Sequence, residues 1–436
     1  MQLPEKGQSP DEVLAEMQRA AEKDADWRSG KTWSLVYNAG EDVIAVSRRA
    51  YDAFFSSNAL NPMAFPSLRR FETEILDLAS GLLHGGREAA GNLTTGGTES
   101  ILMALKTARD WGRVHRPGAS PAEVVIPVSA HPAFDKAAHY LGLKLIYVPV
   151  GPDYRVDLDA VKDALSERTV LVVGSAPSFP QGVIDDIPAL AKLAEERGIL
   201  CHVDACVGGY FLPFLERLGE PVAPWDFRVP GVTSISADLH KYGYTARGCS
   251  TIVYRDRALR RHQFHVQTDW PGGLYGSPTM TGSRPGGPIA AAWAVLHYLG
   301  EEGYLRLART TMEATRALVG GVRAAGLRVL GKPAMSVFAF TADDLEIYAL
   351  CDAMDASGWK IDRQQLPPSA HLMVSPGHAP FVVPFLSELG DAAHRLRGGA
   401  ATPSGSAAMY GALAQMGDRS MVSEFLLGFM DSLDQK

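Results

Sequence analysis

Apolar residues in the first half of this chain fall into two alternating patterns. Short continuous runs rich in β-branched residues predict strands that are buried on both faces. They lie at residues 124–127, 145–150, 170–174 and 200–203. Around these runs, apolar residues with helical spacing predict helices at 98–111, 133–141, 159–166 and 187–197. This alternation predicts an α/β fold with a mostly parallel central sheet and helices on both of its faces.

The segments on either side are less regular. Ser9, followed by Pro10 and two acidic residues, predicts the start of a helix. Residues 28–66 carry turn signals and are predicted to be rich in loops, whereas residues 71–83 predict an amphipathic helix. The run at 251–254 predicts an antiparallel strand, because the chain before it is too short for a helical crossover.

The last third of the chain predicts a second, smaller unit. Glycine, proline, serine and threonine are frequent at 265–288, which predicts either a domain boundary or a long ordered loop, and a loop of this length usually has a functional role. A helix is predicted at 289–325, and a strand, a helix and a strand follow at 335–340, 344–357 and 371–374. We therefore predict three regions: an N-terminal helical and loop segment (1–66), a large domain (67–288) and a C-terminal α+β domain (289–436).

Composition narrows the possible classes of function. The chain has 436 residues, 46% of them hydrophobic, and a net charge of −7 without a long Lys/Arg block, which argues against a nucleic-acid-binding protein. Its four cysteines form no CxxC pair and no metal-binding spacing, so we expect reduced thiols, a cytoplasmic protein and no metal site. The N-terminus lacks the pattern of a signal peptide, and no apolar run reaches the roughly 18 residues of a membrane span.

Three polar features stand where open α/β sheets bind ligands. Gly96 and Gly97 precede the helix predicted from Thr98, so the backbone could approach an anion at the helix N-terminus. Asp204 ends a buried strand, and Lys241 follows a histidine after an apolar run. Alone, each has a simpler explanation as a helix start, a helix cap or a surface charge. In this order, they are the phosphate turn, pyridine-nitrogen partner and Schiff-base lysine that pyridoxal 5′-phosphate chemistry requires.

The neighbours of these residues add to this interpretation. Lys241 lies among apolar and aromatic residues, so we expect it to be partly buried, with a lowered pKa that makes its amine a nucleophile. His240 could reach a cofactor phosphate. His131 follows a predicted strand, where its flat ring could stack on a pyridine, although a structural or capping histidine is an equal alternative.

Longer motifs around these residues resemble those of fold-type I pyridoxal 5′-phosphate enzymes of the group II decarboxylase family, and within it those of the sphingosine-1-phosphate lyases. The motifs are TGGTESI at 95–101, SAH at 129–131, HVDAC at 202–206, GVTSISAD with HKYGY at 231–244, and GSRPGG at 282–287. The resemblance covers nearly the whole chain, from about Tyr37 to the C-terminal helix.

This resemblance implies a role for each site residue. Lys241 would carry pyridoxal 5′-phosphate as a Schiff base, Asp204 would pair with its ring nitrogen, and His131 would stack on the ring. The loop at 283–287 would reach the neighbouring subunit's site, which implies a homodimer with shared active sites. The other implied residues are Gly96, Gly97, Thr98, His240 and Gly286 for the cofactor, Tyr37 for proton handling, and Tyr37, Asn61, Cys206 and Arg247 for the substrate.

The resemblance also implies a reaction. A soluble bacterial lyase would cleave the C2–C3 bond of a phosphorylated long-chain amino alcohol of the sphingosine-1-phosphate type, giving a long-chain aldehyde and phosphoethanolamine. Asn61 stands where the family typically has a histidine, and Arg247 where it usually has a lysine; an arginine offers paired donors to a phosphate. Two alternatives stay open, an amino-acid decarboxylase on the same fold and a binding protein that has lost catalysis. The N-terminal membrane anchor of the eukaryotic relatives is not expected here.

Overall fold

Helices and strands alternate along most of the chain in a computed structural model that describes residues 3–399, 416 and 419–433. The helices are α1 (Pro10–Ala21), α2 (Glu41–Ala53), α3 (Pro66–Leu82), α4 (Gly97–His115), α5 (Ala133–Leu141), α6 (Leu158–Ala164), α7 (Ile187–Arg197), α8 (Leu212–Arg217), α9 (Arg257–Arg261), α10 (Gly286–Ala324), α11 (Ile347–Ala356), α12 (Val382–Arg397) and α13 (Arg419–Ser432). The strands are β1 (Ala90–Thr94), β2 (Glu123–Pro127), β3 (Lys144–Val148), β4 (Thr169–Ser175), β5 (Leu200–Asp204), β6 (Ser234–Ala237), β7 (Ser250–Tyr254), β8 (His265–Trp270), β9 (Gly273–Ser277), β10 (Arg328–Val329), β11 (Val337–Thr341), β12 (Asp362–Gln365) and β13 (Pro368–Met373).

A seven-stranded sheet forms the centre of the larger unit, in the order β1-β7-β6-β5-β4-β2-β3. Strands β6, β5, β4, β2 and β3 run parallel, and β7 runs antiparallel to both of its neighbours. Strands β2, β4, β5 and β7 are buried along their whole length, as expected for a sheet that is covered on both faces. The predicted α/β fold is therefore confirmed, together with the antiparallel strand at its predicted place.

The C-terminal unit is an antiparallel sheet in the order β10-β11-β13-β12, which packs against α11 and shares a hydrophobic core with α12. The long helix α10 joins the two units, since its first half packs in the core of the central sheet and its second half in the C-terminal core. It is interrupted at Gly300, whose φ of 54° is not helical. The predicted division at 66 and 288 stays a prediction, and residues 400–415, 417–418 and 434–436 of its last region lie outside the described residues.

The N-terminal segment packs on the C-terminal unit rather than standing apart. Trp33 is fully buried, and its ring centroid lies 4.6 Å from that of Phe385 and 6.1 Å from that of Trp359. The helix start predicted at Ser9 and Pro10 is confirmed, because α1 begins at Pro10 and Ser9 and Glu12 exchange hydrogen bonds in a capping box. Across the described residues, no helix combines the length and hydropathy that crossing a bilayer requires.

Two segments differ in part from the expectations. Residues 28–66 are rich in loops as predicted, but they also contain α2, whose buried residues are Val43 and Ser47 and whose apolar pattern is therefore weak. Residues 265–288 are not a loop throughout, because β8 and β9 form an antiparallel hairpin. Nearly all of the hairpin side chains are exposed, so no alternation of apolar and polar residues marks its strands.

Candidate active site

A cavity of about 350 Å³ lies at the carboxyl ends of β4, β5 and β6, beside the N-terminus of α4. Ligands bind at this edge of open α/β sheets. Eight of the predicted site residues line it: Gly96, Gly97, Thr98, His131, Asp204, Cys206, His240 and Lys241. Residues that lie far apart in the sequence are therefore brought together, as their shared position at strand ends predicts.

The glycine turn connects β1 to α4 and forms one wall of the cavity. A Cβ atom on Gly97 would lie 2.7 Å from Oδ2 of Asp238 and 2.9 Å from Sγ of Cys206, so the close approach requires glycine. Among the residues that the structure describes, no side chain caps the N-terminus of α4. Its first N–H groups are therefore available to an anion, and the helix dipole favours negative charge at this point.

Asp204 is the last residue of β5 and is buried. Its Oδ1 accepts hydrogen bonds from the backbone N–H of Cys206 (3.0 Å) and from the hydroxyl of Ser236 (3.3 Å). Its Oδ2 has no hydrogen-bond partner within residues 3–399, and the side chain lines the cavity. One oxygen is thus fixed by the protein, and the other is left to pair with a ligand.

Lys241 forms an ion pair with Asp238, a residue to which the sequence analysis gave no role. Nζ lies 3.1 Å from Oδ2 of Asp238, whose side chain is almost fully buried. Burial acts to lower the pKa of Lys241, but the charge of Asp238, with Tyr37, Cys206 and Asp204, raises this pKa well above its usual range. The expected lowered pKa is therefore wrong for the ion-paired lysine, because a buried counter-ion stabilises the ammonium form.

Asp238 is held ionised by several neighbours at once. Burial acts to raise its pKa, but Lys241, His240 and Ser250 together bring the pKa below its ordinary value. The Ser250 hydroxyl donates to Oδ1 at 2.5 Å. The available sequence signal was a carboxylate placed three residues before the lysine, directly after a buried strand.

The two histidines of the site have defined orientations. Nδ1 of His240 accepts the backbone N–H of Cys249 at 3.4 Å, which assigns the ring hydrogen to Nε2. Burial lowers the pKa of His240, so the ring is a neutral donor. Nδ1 of His131 accepts the backbone N–H of Ala133 at 3.1 Å, and its exposed ring lines the cavity.

Tyr37 and Arg247 form a small cluster joined to the cavity through His240. The Arg247 guanidinium lies 5.3 Å from the ring centroid of Tyr37 and donates to the carbonyl oxygen of His240 at 2.8 Å. The ring of Tyr37 packs edge-on against Tyr242, with centroids 4.9 Å apart. Burial raises the pKa of Tyr37 to about 12, although the charges of Lys241 and Arg247 oppose this. The phenol therefore keeps its proton near neutral pH.

Some predicted residues lie away from the cavity of their own chain. Asn61 is exposed, and its side chain caps its own turn by accepting two backbone N–H groups. Arg284 forms an ion pair with Glu72 of α3. Gly286 begins α10 and donates its N–H to the carbonyl of Ser57 at 2.8 Å. The roles of these residues stay predictions, and those of Arg284 and Gly286 depend on a second subunit.

The groups that line the cavity fit pyridoxal 5′-phosphate. Lys241 offers an amine for the aldehyde, and Asp204 offers a free carboxylate oxygen for the protonated ring nitrogen. The N-terminus of α4, with the Nε2–H of His240, offers donors for the phosphate. Each of these groups has chemistry that matches one part of the cofactor.

Comparisons with known proteins point to one family. The family model described as "Pyridoxal-dependent decarboxylase conserved domain" matches residues 2–342. The chain is 43% identical over 441 residues to the sphingosine-1-phosphate lyase of Arabidopsis thaliana, covering 99% of this chain and 80% of that protein. It is 42% identical over 436 residues to sphingosine-1-phosphate lyase 1 of Rattus norvegicus, covering 99% of this chain and 76% of that protein.

Solved structures agree with this relationship. The sphingosine-1-phosphate lyase of Burkholderia pseudomallei K96243 superposes with a TM-score of 0.92 at 39% identity, covering 100% of this chain and 97% of that one. A glutamate decarboxylase of Lactobacillus brevis superposes with a TM-score of 0.80 at 20% identity, covering 93% and 96%. The second match concerns the fold alone, and it confirms the fold-type I class predicted from the sequence.

Lys241 is expected to be the residue that holds the cofactor covalently. Protein loaded with pyridoxal 5′-phosphate and then reduced with borohydride should lose its visible absorption band and carry a pyridoxyl group on Lys241, as peptide mass spectrometry can establish. Lys106, which is similarly buried but pairs with Asp110 outside the cavity, is the matched control and should stay unlabelled. A pyridoxyl group found on another lysine instead would overturn the assignment.

Asp238→Asn should shift the pH at which the apoenzyme takes up pyridoxal 5′-phosphate. Attack by Lys241 needs the neutral amine, and removing the charge of Asp238 removes the interaction that raises the Lys241 pKa. The uptake rate of the variant should therefore rise at lower pH than that of the wild type, as stopped-flow absorbance measures. Asp110→Asn, which alters an acid paired with Lys106, should follow the wild type. Superimposable profiles for the wild type and Asp238→Asn would contradict the role.

Proposed function

We propose that this chain, which belongs to the pyridoxal-dependent decarboxylase family, is a pyridoxal 5′-phosphate-dependent lyase that cleaves the C2–C3 bond of phosphorylated sphingoid bases. The products are a long-chain aldehyde and phosphoethanolamine. The observation that carries this proposal is the convergence of Lys241, Asp204 and the Gly96-Gly97 turn on one cavity. The substrate class follows from relatives named sphingosine-1-phosphate lyase that match nearly the whole chain.

The reaction breaks one carbon–carbon bond and moves two protons. The C3 hydroxyl loses its proton, the C2–C3 bond breaks as the C3 carbonyl forms, and C2 takes up a proton. Bound pyridoxal 5′-phosphate supplies the sink for the electron pair that remains at C2. Asp204 would hold a proton on the ring nitrogen through its free oxygen, and Lys241 would hold the cofactor covalently. His131 would orient the ring.

Proton transfer at the substrate is assigned to the cluster beside the cavity. Tyr37 keeps its phenolic proton and lies next to the positive charges of Lys241 and Arg247. It can therefore donate a proton or pass one on, but it is a poor base without a partner. Asp238 stabilises the ammonium form of Lys241, so it would keep a proton on Nζ whenever the amine is not bound to the cofactor.

The substrate phosphate is assigned to Arg247, with Asn61 and Cys206 as further substrate contacts. Arg247 is exposed and uses one nitrogen for the His240 carbonyl, so its other donors remain for an anion. The cofactor phosphate is assigned to Gly96, Gly97, Thr98 and His240, with Gly286 supplied by the neighbouring subunit. Two phosphates thus have separate sites.

A homodimer with shared active sites is the proposed assembly. Leu60, Met63, Leu274 and Met280 are exposed apolar residues, and a Cβ on Gly282 would lie 3.9 Å from Leu60. Leu60 and Met280 thus lie beside the start of the 283–287 loop that is proposed to complete the neighbouring site, and exposed apolar side chains are typical of subunit contacts. A cytoplasmic location is proposed from the four cysteines, which are buried and unpaired. The bacterial origin stays a prediction.

Cleavage kinetics test the activity and the role of Arg247 together. The wild type should convert a phosphorylated sphingoid base to aldehyde and phosphoethanolamine, with little activity on the unphosphorylated base. Arg247→Ala should raise KM by about 10-fold to 100-fold, as expected for the loss of a charged hydrogen bond of roughly 1.5–3 kcal/mol. The visible band of the bound cofactor should remain. Arg247→Lys, which keeps the charge, is the control, and its KM should lie between those of the wild type and Arg247→Ala.

Three results would count against this proposal. Release of carbon dioxide from an amino acid, without aldehyde formation, would favour an amino-acid decarboxylase on the same fold. Equal cleavage of the phosphorylated and unphosphorylated bases would remove the phosphate from substrate recognition. An unchanged KM in Arg247→Ala would assign the phosphate to another residue.

Light scattering tests the assembly. The wild type should have the mass of a dimer, and Leu274→Glu should shift the population toward monomer, because a charge would be buried against the partner. Val383→Glu is the matched control, since Val383 is an equally exposed aliphatic residue on α12. A monomeric wild type, or a Leu274→Glu variant that stays dimeric, would contradict the proposed interface.

A further inference from the structure

Behind Asp204, on the side away from the cavity, lies a series of buried polar side chains to which the proposed function gives no role. Strands β5 and β6 pair in parallel, with His202 opposite Ser234 and Asp204 opposite Ser236. Residues two apart in a strand point to the same face of the sheet. The four side chains are therefore neighbours on one face, and all four are buried.

Ser236 lies at the centre of this series. Its Oγ lies 3.3 Å from Oδ1 of Asp204, 3.2 Å from Nε2 of His202 and 3.3 Å from Sγ of Cys206. Nδ1 of His202 lies 2.9 Å from Oγ of Ser234. Ser234, His202 and Ser236 thus form an unbroken series of hydrogen bonds that ends on the carboxylate.

Counting hydrogens assigns the direction of each bond. A carboxylate only accepts, so the hydroxyl of Ser236 donates to Asp204, and its oxygen accepts from His202. Burial lowers the pKa of His202 to about 4, against the opposing charge of Asp204, so the ring is neutral and has a single N–H. That hydrogen is on Nε2, and Nδ1 accepts the hydroxyl of Ser234. Every donor in the series therefore points toward Asp204.

We propose that Ser236 and His202 are positioning residues for Asp204, fixing its Oδ1 so that Oδ2 meets the ring nitrogen of the cofactor. Aligned donors in a buried series strengthen one another and stabilise the negative charge at its end. The backbone N–H of Cys206 is the other donor to Oδ1, so Ser236 supplies one of two hydrogen bonds that hold this carboxylate. The inference rests on the proposed function, since it takes pyridoxal 5′-phosphate as the occupant of the cavity.

Three variants and one control test this role. Ser236→Ala removes the hydroxyl, His202→Leu removes both ring nitrogens, and His202→Gln keeps an N–H donor close to the position of Nε2. Ser369→Ala, which changes a fully buried serine on β13 of the C-terminal sheet, is the matched control. The readouts are the thermal midpoint of the apoenzyme, the dissociation constant of pyridoxal 5′-phosphate, kcat, KM, and the ¹⁵N chemical shift of the ring nitrogen in labelled cofactor.

Ser236→Ala and His202→Leu should lower kcat and raise the dissociation constant of the cofactor by about tenfold each, the effect of losing one hydrogen bond to a charged group. KM should not change, because Asp204 acts on the cofactor rather than on the substrate phosphate. The ¹⁵N shift should move toward that of an unprotonated ring nitrogen. His202→Gln should have a kcat, a cofactor dissociation constant and a ¹⁵N shift close to those of the wild type, and Ser369→Ala should match the wild type.

The outcomes separate this inference from the proposed function. Ser236→Ala that matches the wild type in kcat, cofactor affinity and ¹⁵N shift would overturn the positioning role, whatever its thermal midpoint. If Ser236→Ala does not fold, the two variants at His202 provide the test. Equal values of kcat, cofactor affinity and ¹⁵N shift in His202→Leu and His202→Gln would overturn the positioning role. A wild type that neither binds pyridoxal 5′-phosphate nor cleaves a phosphorylated sphingoid base contradicts the proposed function instead.

Discussion

The ion pair between Asp238 and Lys241 is the constraint around which the site is built. A carboxylate this deeply buried has to be compensated on every side, because the cost of removing its charge from water is large. Lys241 compensates it from the cavity, and Ser250 compensates it from β7. Ser250 also contacts Ser100 of α4 at 2.9 Å, and Gly97 leaves room for the carboxylate at the start of that helix. The phosphate turn, the lysine and the strand β7 are therefore positioned around one charge.

A second buried carboxylate extends this arrangement toward the proposed subunit contact. Oε2 of Glu99 accepts from the backbone and hydroxyl of Thr95, at 2.6 and 2.7 Å. Its Oε1 accepts the backbone N–H groups of Met280 and Thr281, at 2.9 and 3.3 Å. The segment between the exposed hairpin and α10 is thus tied to the phosphate turn. In the proposed dimer, a contact of the second subunit with this segment would act on the hydrogen bonds that shape the proposed phosphate site.

The sequence predicted the parts of this protein that depend on local patterns. Continuous apolar runs identified the buried strands, and the end of a strand identified Asp204, because strand ends meet at one edge of a parallel sheet. It missed Asp238, since an acid beside a histidine and a lysine is usually a solvated surface charge, and only the β6–β7 pairing shows that this one is buried. The hairpin at 265–277 was missed for the opposite reason, because its side chains face away from the core of its own chain. Arg284, whose loop the resemblance assigns to a neighbouring subunit's site, also forms an ion pair with Glu72 of its own chain, a contact between residues too distant in sequence for spacing to predict.

The distribution of charge around the cavity suits two phosphates with different requirements. The cofactor phosphate stays bound through many turnovers, and the groups assigned to it are dipolar and neutral. They are the N-terminus of α4 and His240, whose pKa is lowered by burial and by the positive charges of Arg247 and Lys241. The substrate phosphate has to bind and leave in each turnover, and Arg247, its proposed partner, lies at the exposed edge, where exchange would be possible. Water weakens an exposed charge pair relative to a buried one, so a phosphate bound by Arg247 can still be released after each turnover. A buried guanidinium in the glycine turn would instead bind either phosphate tightly. The substrate phosphate would then compete with the cofactor phosphate for the cofactor's site.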